Sequence, residues 1–275
     1  MLKKLAGVLL VFCLSIFQVE AEEKIRVSGS TSVLPIIAEA SKQYRLLKPS
    51  LTLTVAGGGS GVGVASIGQG MAEIGMVSRD LTPKESQRLQ GKVKQIAVAR
   101  DAVAMAISKA VYEGGVTSLT VDQIADIYRG KIRNWRDVGG PDARILVIDK
   151  EPSRGTRHVF AKVVLGNEKA RAPGATIITG SNNEEQAAIA NSNSAIGMLS
   201  NAWLNDKVRA VAIGKPGEAV LPTKENIHNG RYPIQRDLNI LIENKNNLVV
   251  AEFVDYLLSD QGQQIVEQVG YLPVQ

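Results

Sequence analysis

Three short segments of this 275-residue chain put hydroxyls, glycines or arginines where a strand-like run gives way to a helix-like one: Ser30-Thr31-Ser32, Gly59-Ser60-Gly61 and Arg154-Gly155-Thr156-Arg157. A fourth, Ser78-Arg79, follows the apolar run that ends at Val77. A helix N-terminus presents free amides and the positive end of a dipole, which suits an anion. Glycine lets the backbone approach closely, hydroxyls donate, and guanidinium forks match tetrahedral oxygens. In α/β sheets such turns lie at the carboxyl ends of strands, where ligands bind. Each piece alone is ordinary, since a hydroxyl before a helix is usually a cap and a glycine run usually a turn. Their recurrence points to an anion site. The candidate ligands are Ser30, Thr31, Ser32, Ser60, Gly61, Ser78, Arg79, Arg154, Gly155, Thr156 and Arg157.

Other chemistry is scarce. Val64 stands where a dinucleotide fingerprint would need its third glycine, and the glycine run lacks the Gly-Lys-Ser/Thr ending of a P-loop. Val62 likewise breaks the nucleophile-elbow pattern around Ser60. The two histidines, His158 and His228, have no metal-ligand spacing, and His158 reads as a surface residue on a helix. Glu184-Glu185 reads as the solvated start of a helix. Neither a metal nor a cofactor is expected, and a catalytic role fits poorly.

With 44% hydrophobic and 21% charged residues, the chain is globular in composition and long enough for one or two domains. Residues 1–21 form a candidate cleavable signal peptide: Lys3 and Lys4, an apolar Leu5–Phe17 core, then Val19-Glu20-Ala21. The only cysteine, Cys13, lies in that core, so the exported chain would carry no thiol, disulfide or cysteine-ligated metal. The net charge of +5 is mild and dispersed, densest at Arg129-Gly130-Lys131-Ile132-Arg133, and aromatics make up 4%. Nucleic-acid binding would want a basic stripe, often with interleaved aromatics.

The elements that must position these turns follow from periodicity. Strands are expected at Lys24–Ser28, Leu51–Ala56, Ile74–Val77, Val98–Ser108, Ile145–Asp149, Ala175–Thr179, Ala195–Leu199, Val208–Val211 and Leu238–Ile242. Helices are expected over Val33–Lys48, from the glycine run to about Met71, from Thr82-Pro83-Lys84-Glu85 with its capping box, from Thr120 to Tyr128, over Arg157–Leu165, and over Val249–Val269. The alternation predicts α/β architecture with largely parallel strands. The long strand ending at Ser108 could cross between domains.

The sequence resembles the phosphate-binding solute receptors of bacterial ABC importers, the PstS-like branch of the periplasmic binding proteins. The supporting segments, in the family's order, begin with Gly29-Ser30-Thr31-Ser32-Val33, the Gly57–Gly63 loop and Ile74–Arg79. Ile127–Trp135, Val138-Gly139-Gly140 and Arg154–Arg157 come next, followed by Ala195–Leu199, Gly262-Gln263 and Gly270–Pro273. The resemblance implies a two-lobed type II binding fold, each lobe a mixed, mostly parallel sheet flanked by helices, with an anion held between. Lobe 1 would be residues 22–102 plus 236–275 and lobe 2 residues 103–235. By the same resemblance, Thr31, Ser32 and Ser60 donate from lobe 1, Gly155 and Thr156 close from lobe 2, and the Trp135 segment is packing.

The implied protein is a monomeric periplasmic receptor that delivers inorganic phosphate to a membrane ABC permease. Another tetrahedral oxyanion (sulfate, molybdate or tungstate) and a loop-serine phosphate-ester hydrolase remain the alternatives. The chain departs from the pattern at Arg154, where many relatives have serine; at Lys150, where they have arginine; and at Arg79, where some have aspartate. An aspartate there would accept phosphate's proton, whereas arginine supplies no acceptor. Phosphate should therefore be preferred over sulfate by a smaller margin than in an aspartate-bearing site, with Asp80 one residue further on and Glu151 near the second-lobe loop.

Overall fold

The computed structural model describes residues 23–274. The expected signal peptide, with Cys13, lies outside the described residues. The first lobe opens with β1 (Lys24–Gly29), α1 (Leu34–Leu47), β2 (Thr52–Gly57), α2 (Ser60–Gly68), β3 (Ile74–Val77) and α3 (Pro83–Leu89). The long strand β4 (Val93–Ser108) then carries the chain into the second lobe. There follow α4 (Lys109–Glu113), β5 (Ser118–Leu119), α5 (Val121–Tyr128), β6 (Leu146–Lys150), α6 (Gly155–Val164), β7 (Ile177–Thr179) and α7 (Asn182–Ala190). The second lobe is completed by β8 (Ala195–Ser200), β9 (Val208–Ala210), β10 (Ala212–Ile213) and α8 (Lys224–His228). Strand β11 (Gln235–Glu243) returns to the first lobe, which ends in α9 (Leu248–Leu258) and α10 (Asp260–Gln268).

One path of paired strands, β2-β1-β3-β11-β4-β8-β6-β7, runs through both lobes. Strand β4 pairs with β11 from Val93 to Ala102 and with β8 from Val103 onward, so it changes partner at a single peptide bond. The sheet is more mixed than the alternation of elements suggests. β1 is parallel to β2 and β3, and β6 to β7 and β8. β11 runs antiparallel to β3 and β4, and β4 antiparallel to β8. The reason is topological: β4 leaves the first lobe and β11 re-enters it, so these neighbours must point in opposite directions. β4 also feeds two cores. Val98 and Ala99 join Ile25, Ile36, Met76, Ile240 and Phe253 in the first, while Val103, Met105 and Ile107 join Tyr128, Trp135, Phe160 and Met198 in the second. Trp135 is fully buried and its Nε1 donates to Ser194 O at 2.9 Å, a packing role.

The C-terminal run differs from the expected single helix. Ser259, with ψ 166°, ends α9, and its Oγ accepts from Gly262 N at 3.3 Å to start α10. An apolar period persists across such a break, so periodicity alone does not register it. Helix α6 begins two residues earlier than expected, at Gly155.

Two local devices fix the entrance to the site. Helix α2 lies so close to β3 that a Cβ on Gly63 would stand 2.3 Å from Met76 O, and one on Gly75 would stand 2.5 Å from Gly63 O. Only a pair of glycines permits that approach, and it brings Ser60, at the start of α2, against Ser78, just past β3. Helix α3 has the full capping box: Thr82 Oγ1 accepts from Glu85 N at 3.3 Å, and a Glu85 oxygen accepts from Thr82 N at 2.8 Å. The same carboxylate takes both ends of the Arg79 guanidinium, at 2.7 and 2.9 Å. Burial by itself would raise the Glu85 carboxyl, but the Arg79 guanidinium and the Thr82 amide outweigh it and hold it down at about 2.

Gly63→Ala should cost about 1–3 kcal/mol of stability through overpacking against β3; denaturant unfolding measures it, and an unchanged midpoint would show that the helix can retreat. A carboxyl with a folded pKa below its unfolded value adds stability that is complete above the unfolded value and is lost as pH falls through the folded one. The Glu85 contribution should thus fade between about pH 4.3 and about pH 2. Unfolding curves of the parent and Glu85→Gln should differ most near neutrality and converge as pH approaches 2.

Candidate functional site

Four helices start at the carboxyl ends of strands and face one region between the lobes: α1 and α2 after β1 and β2, and α6 and α7 after β6 and β7. In α6 the helical ladder opens with His158 N donating to Arg154 O at 3.1 Å, so the amides of Gly155, Thr156 and Arg157 precede it. Gly155 sits hard against the first lobe. A Cβ there would stand 2.3 Å from Ser60 Oγ and 2.4 Å from Ser78 Oγ. Any side chain there would have to displace these hydroxyls or part the lobes.

The centre of the region is a side chain that the turns do not announce. Arg236, near the start of β11, is buried, and its five N–H donors are all engaged. Nε and Nη2 donate to Asp101 Oδ2 at 2.9 and 2.7 Å. Nη2 also donates to Ser32 Oγ at 2.9 Å, and Nη1 donates to Thr156 Oγ1 at 3.0 Å and to Ser78 O at 3.3 Å. One guanidinium therefore gathers a hydroxyl from the turn before α1, another from α6, and a carbonyl from the turn after β3. Asp101 is held in turn by Ser200 Oγ–H at 2.9 Å and Asn201 N at 3.1 Å. Tyr271, whose hydroxyl burial pushes well up, donates to Ser32 O at 2.7 Å. A sequence signal for this pair existed. Arg100-Asp101 and Arg236-Asp237 interrupt the two crossing strands, and in register Arg236 stands opposite Asp101 and Asp237 opposite Arg100.

The predicted hydroxyls come together here. Ser30, Ser32, Ser60, Ser78 and Thr156 are all buried. Ser30 Oγ accepts from Ser32 N at 3.2 Å, and Ser60 Oγ accepts from Ser78 N at 3.0 Å and touches Ser78 Oγ at 3.3 Å. Helix α1 is not capped by any of these hydroxyls; its N-cap is Val33. Contacts between lobes are direct. Ser32 and Thr156 hydroxyls lie 3.4 Å apart, Asn182 Nδ2 donates to Ser32 Oγ at 3.0 Å, Asn182 N to Thr31 Oγ1 at 3.5 Å, and Gly61 N to Ser153 O at 3.0 Å.

The predicted arginines go elsewhere. Arg79 is spent on Glu85, as above. Arg157 Nε pairs with Asp149 Oδ1 at 2.6 Å, and its Nη2 donates to Ala170 O at 2.6 Å. Arg154 lies over Gly59 at the cleft rim, with Nε and Nη2 on Glu151 Oε2 at 2.7 and 2.5 Å. The expectation of a solvated Glu184-Glu185 pair also needs correction. Glu184 is exposed, but Glu185 is fully buried against Lys150 in an ion pair, because α7 turns that face onto β8. Lys150 Nζ also donates to Ser181 O at 3.0 Å, and Glu185 Oε1 accepts from Met198 N at 2.6 Å. Burial pushes the Glu185 carboxyl up and the Lys150 ammonium down. His158 is half-buried rather than a surface residue, and burial beside Arg79 pulls its imidazole down.

Arg79, Arg154, Arg157 and Lys150 thus each have their own carboxylate, and what remains for a ligand is a buried set of hydroxyls and helix-end amides around Arg236. Among the described residues, no group of three or more His, Cys, Asp or Glu side chains is placed to hold a metal ion.

A model of the PBP superfamily domain matches residues 18–261. The phosphate-binding protein PstS of Bacillus subtilis is 31% identical over 260 residues, covering 93% of this chain and 82% of that protein. PstS of Borreliella burgdorferi is 30% identical over 259 residues, covering 92% and 91%. Among solved structures, a putative phosphate ABC transporter substrate-binding protein from Clostridium perfringens, with bound phosphate, superposes with a TM-score of 0.84 at 32% identity. That alignment covers 92% of this chain and 100% of the other. An ABC-type phosphate transport receptor from Vibrio cholerae gives 0.73 at 31% identity, covering 90% and 99%. With its family model spanning nearly the whole chain, and relatives of this likeness covered over most of their length, the chain belongs to the PstS-like receptors of the periplasmic-binding-protein superfamily.

Proposed function

We propose that this protein captures inorganic phosphate between its lobes outside the cytoplasmic membrane and delivers it to an ABC permease. It acts as a monomer and performs no chemistry on the ligand. The observation that carries this reading is the convergence of Ser32, Ser78 and Thr156, from both lobes, on the single guanidinium of Arg236. Charge-assisted donors and helix N-termini are the groups that bind a multiply charged oxyanion tightly. The phosphate named in the relatives, and bound in the Clostridium structure, supports that choice of anion.

Ligand-linked closure follows from the same contacts. An anion held by donors from both lobes binds the closed arrangement better than any open one, and so shifts the population toward it. The lobes divide as residues 22–102 plus 236–275 and 103–235, a reading supported by the change of partner along β4 at Ala102/Val103. Within this site the ligands are the hydroxyls of Ser32, Ser60, Ser78 and Thr156 and the first amides of α1, α2 and α6, with Arg236 holding the hydroxyls of Ser32 and Thr156 in place. Ser30 and Thr31 shape the α1 turn, Arg154 roofs the cleft, and Arg79 and Arg157 brace the framework. An extracytoplasmic location agrees with the expected leader, and no helix among the described residues is long and apolar enough to cross a membrane.

Calorimetric titration of anion-stripped protein with phosphate, sulfate, arsenate, molybdate and tungstate tests the reading, and phosphate should bind tightest. Thr156→Ala and Ser32→Ala should each weaken phosphate binding by about one to two decades, the worth of a hydrogen bond to a charged ligand. Parent-like affinity in both variants would place the ligand elsewhere. Saturating phosphate should also raise the melting temperature, because only the folded form binds it; no shift would count against phosphate as the ligand.

A further inference from the structure

We infer that Asn182 accepts the proton of bound phosphate, and so sets this receptor's preference for phosphate over fully ionised oxyanions. The inference rests on the phosphate reading above and adds the residue that discriminates. Near neutral pH phosphate retains at least one proton, whereas sulfate has none. A dry site made only of donors would hold both, so discrimination needs an acceptor facing the ligand.

Acceptors with capacity to spare are rare in this cleft. Asp101 takes Arg236, Ser200 and Asn201. Glu185 takes Lys150, Met198 N and the Thr179 hydroxyl. Asp149 takes Arg157 and Lys150 N, and Glu151 takes Arg154. The residue after Ser78 is Arg79, an obligate donor already bound to Glu85. Asn182 is different. It is the first residue of α7, 1% exposed, and its Nδ2 donates to Ser32 Oγ at 3.0 Å. The same Ser32 Oγ accepts from Arg236 Nη2 at 2.9 Å and lies 3.4 Å from Thr156 Oγ1, so the amide sits within the Arg236 network. Among the described residues, Asn182 Oδ1 is a buried acceptor with no hydrogen-bond partner. Burying an unpaired acceptor costs stability, and this one stands beside the hydroxyls that Arg236 gathers. A protonated oxyanion repays that cost by donating to it, and sulfate cannot.

A neutral amide rejects sulfate less severely than a carboxylate would, since sulfate meets a carbonyl dipole and not a second full charge. Competition titrations of phosphate and sulfate on the parent, Asn182→Ala and Asn182→Asp test this, with circular dichroism and melting curves establishing that each variant is folded. Asn182→Ala should lose phosphate affinity while sulfate changes little, narrowing the affinity ratio about tenfold or more. Asn182→Asp, nearly isosteric, should widen the ratio by weakening sulfate more than phosphate. Equal losses for both anions in Asn182→Ala, or a ratio in Asn182→Asp no wider than the parent's, would overturn the inference and leave Asn182 as a brace for Ser32. A parent that binds neither anion would instead overturn the phosphate reading itself, and this inference with it.

Discussion

The fold turns on one buried ion pair, Arg236 with Asp101, set across the two strands that join the lobes. Such a pair is costly to bury and contributes little net stability, yet removing one partner strands the other. Its constraint is geometric. A guanidinium without water must place all five donors, and here two go to Asp101 and the others to groups just before α1, on α6 and after β3. Asp101 in turn ties down Ser200 and Asn201, while Tyr271 closes the ring onto Ser32. Satisfying one arginine thereby ties Ser32 of the first lobe to Thr156 of the second.

Around that pair the chain keeps its positive charges balanced. Lys150, Arg154, Arg157 and Arg79 each sit on a carboxylate. The pull on an anion therefore comes from oriented dipoles and hydroxyls more than from free cations, a design that favours geometric fit over nonspecific attraction. Gly155 leaves the hydroxyls of Ser60 and Ser78 the space that a side chain would need.

Much of the local structure could be read directly from neighbouring residues. The capping boxes at Thr82/Glu85 and Thr120/Gln123 form as their spacing requires. The strand-to-helix turns carry the buried hydroxyls, and the apolar runs mark both cores. Neighbouring residues do not tell where a long side chain ends. Arg79, Arg154 and Arg157 look like ligands beside those hydroxyls, but each finds a carboxylate within eight residues or fewer. Glu185 reads as solvated until α7 is laid on β8, and the helix after Leu248 reads as continuous until Ser259 adopts an extended ψ.

By itself, then, the sequence determined what depends on near neighbours: hydroxyl and glycine turns ahead of helices, periodic faces, caps, and the ordered motifs that carry the family resemblance. Tertiary structure alone decided the centre of the site. Arg236 meets Ser32 across 204 positions and Asp101 across 135, and Asn182 meets Ser32 across 150. Those meetings depend on the register of β11 against β4 and on closure of the second lobe over the first. Burial then converts them from incidental contacts into requirements, because a charge or amide removed from water must take whatever partner the fold brings to it.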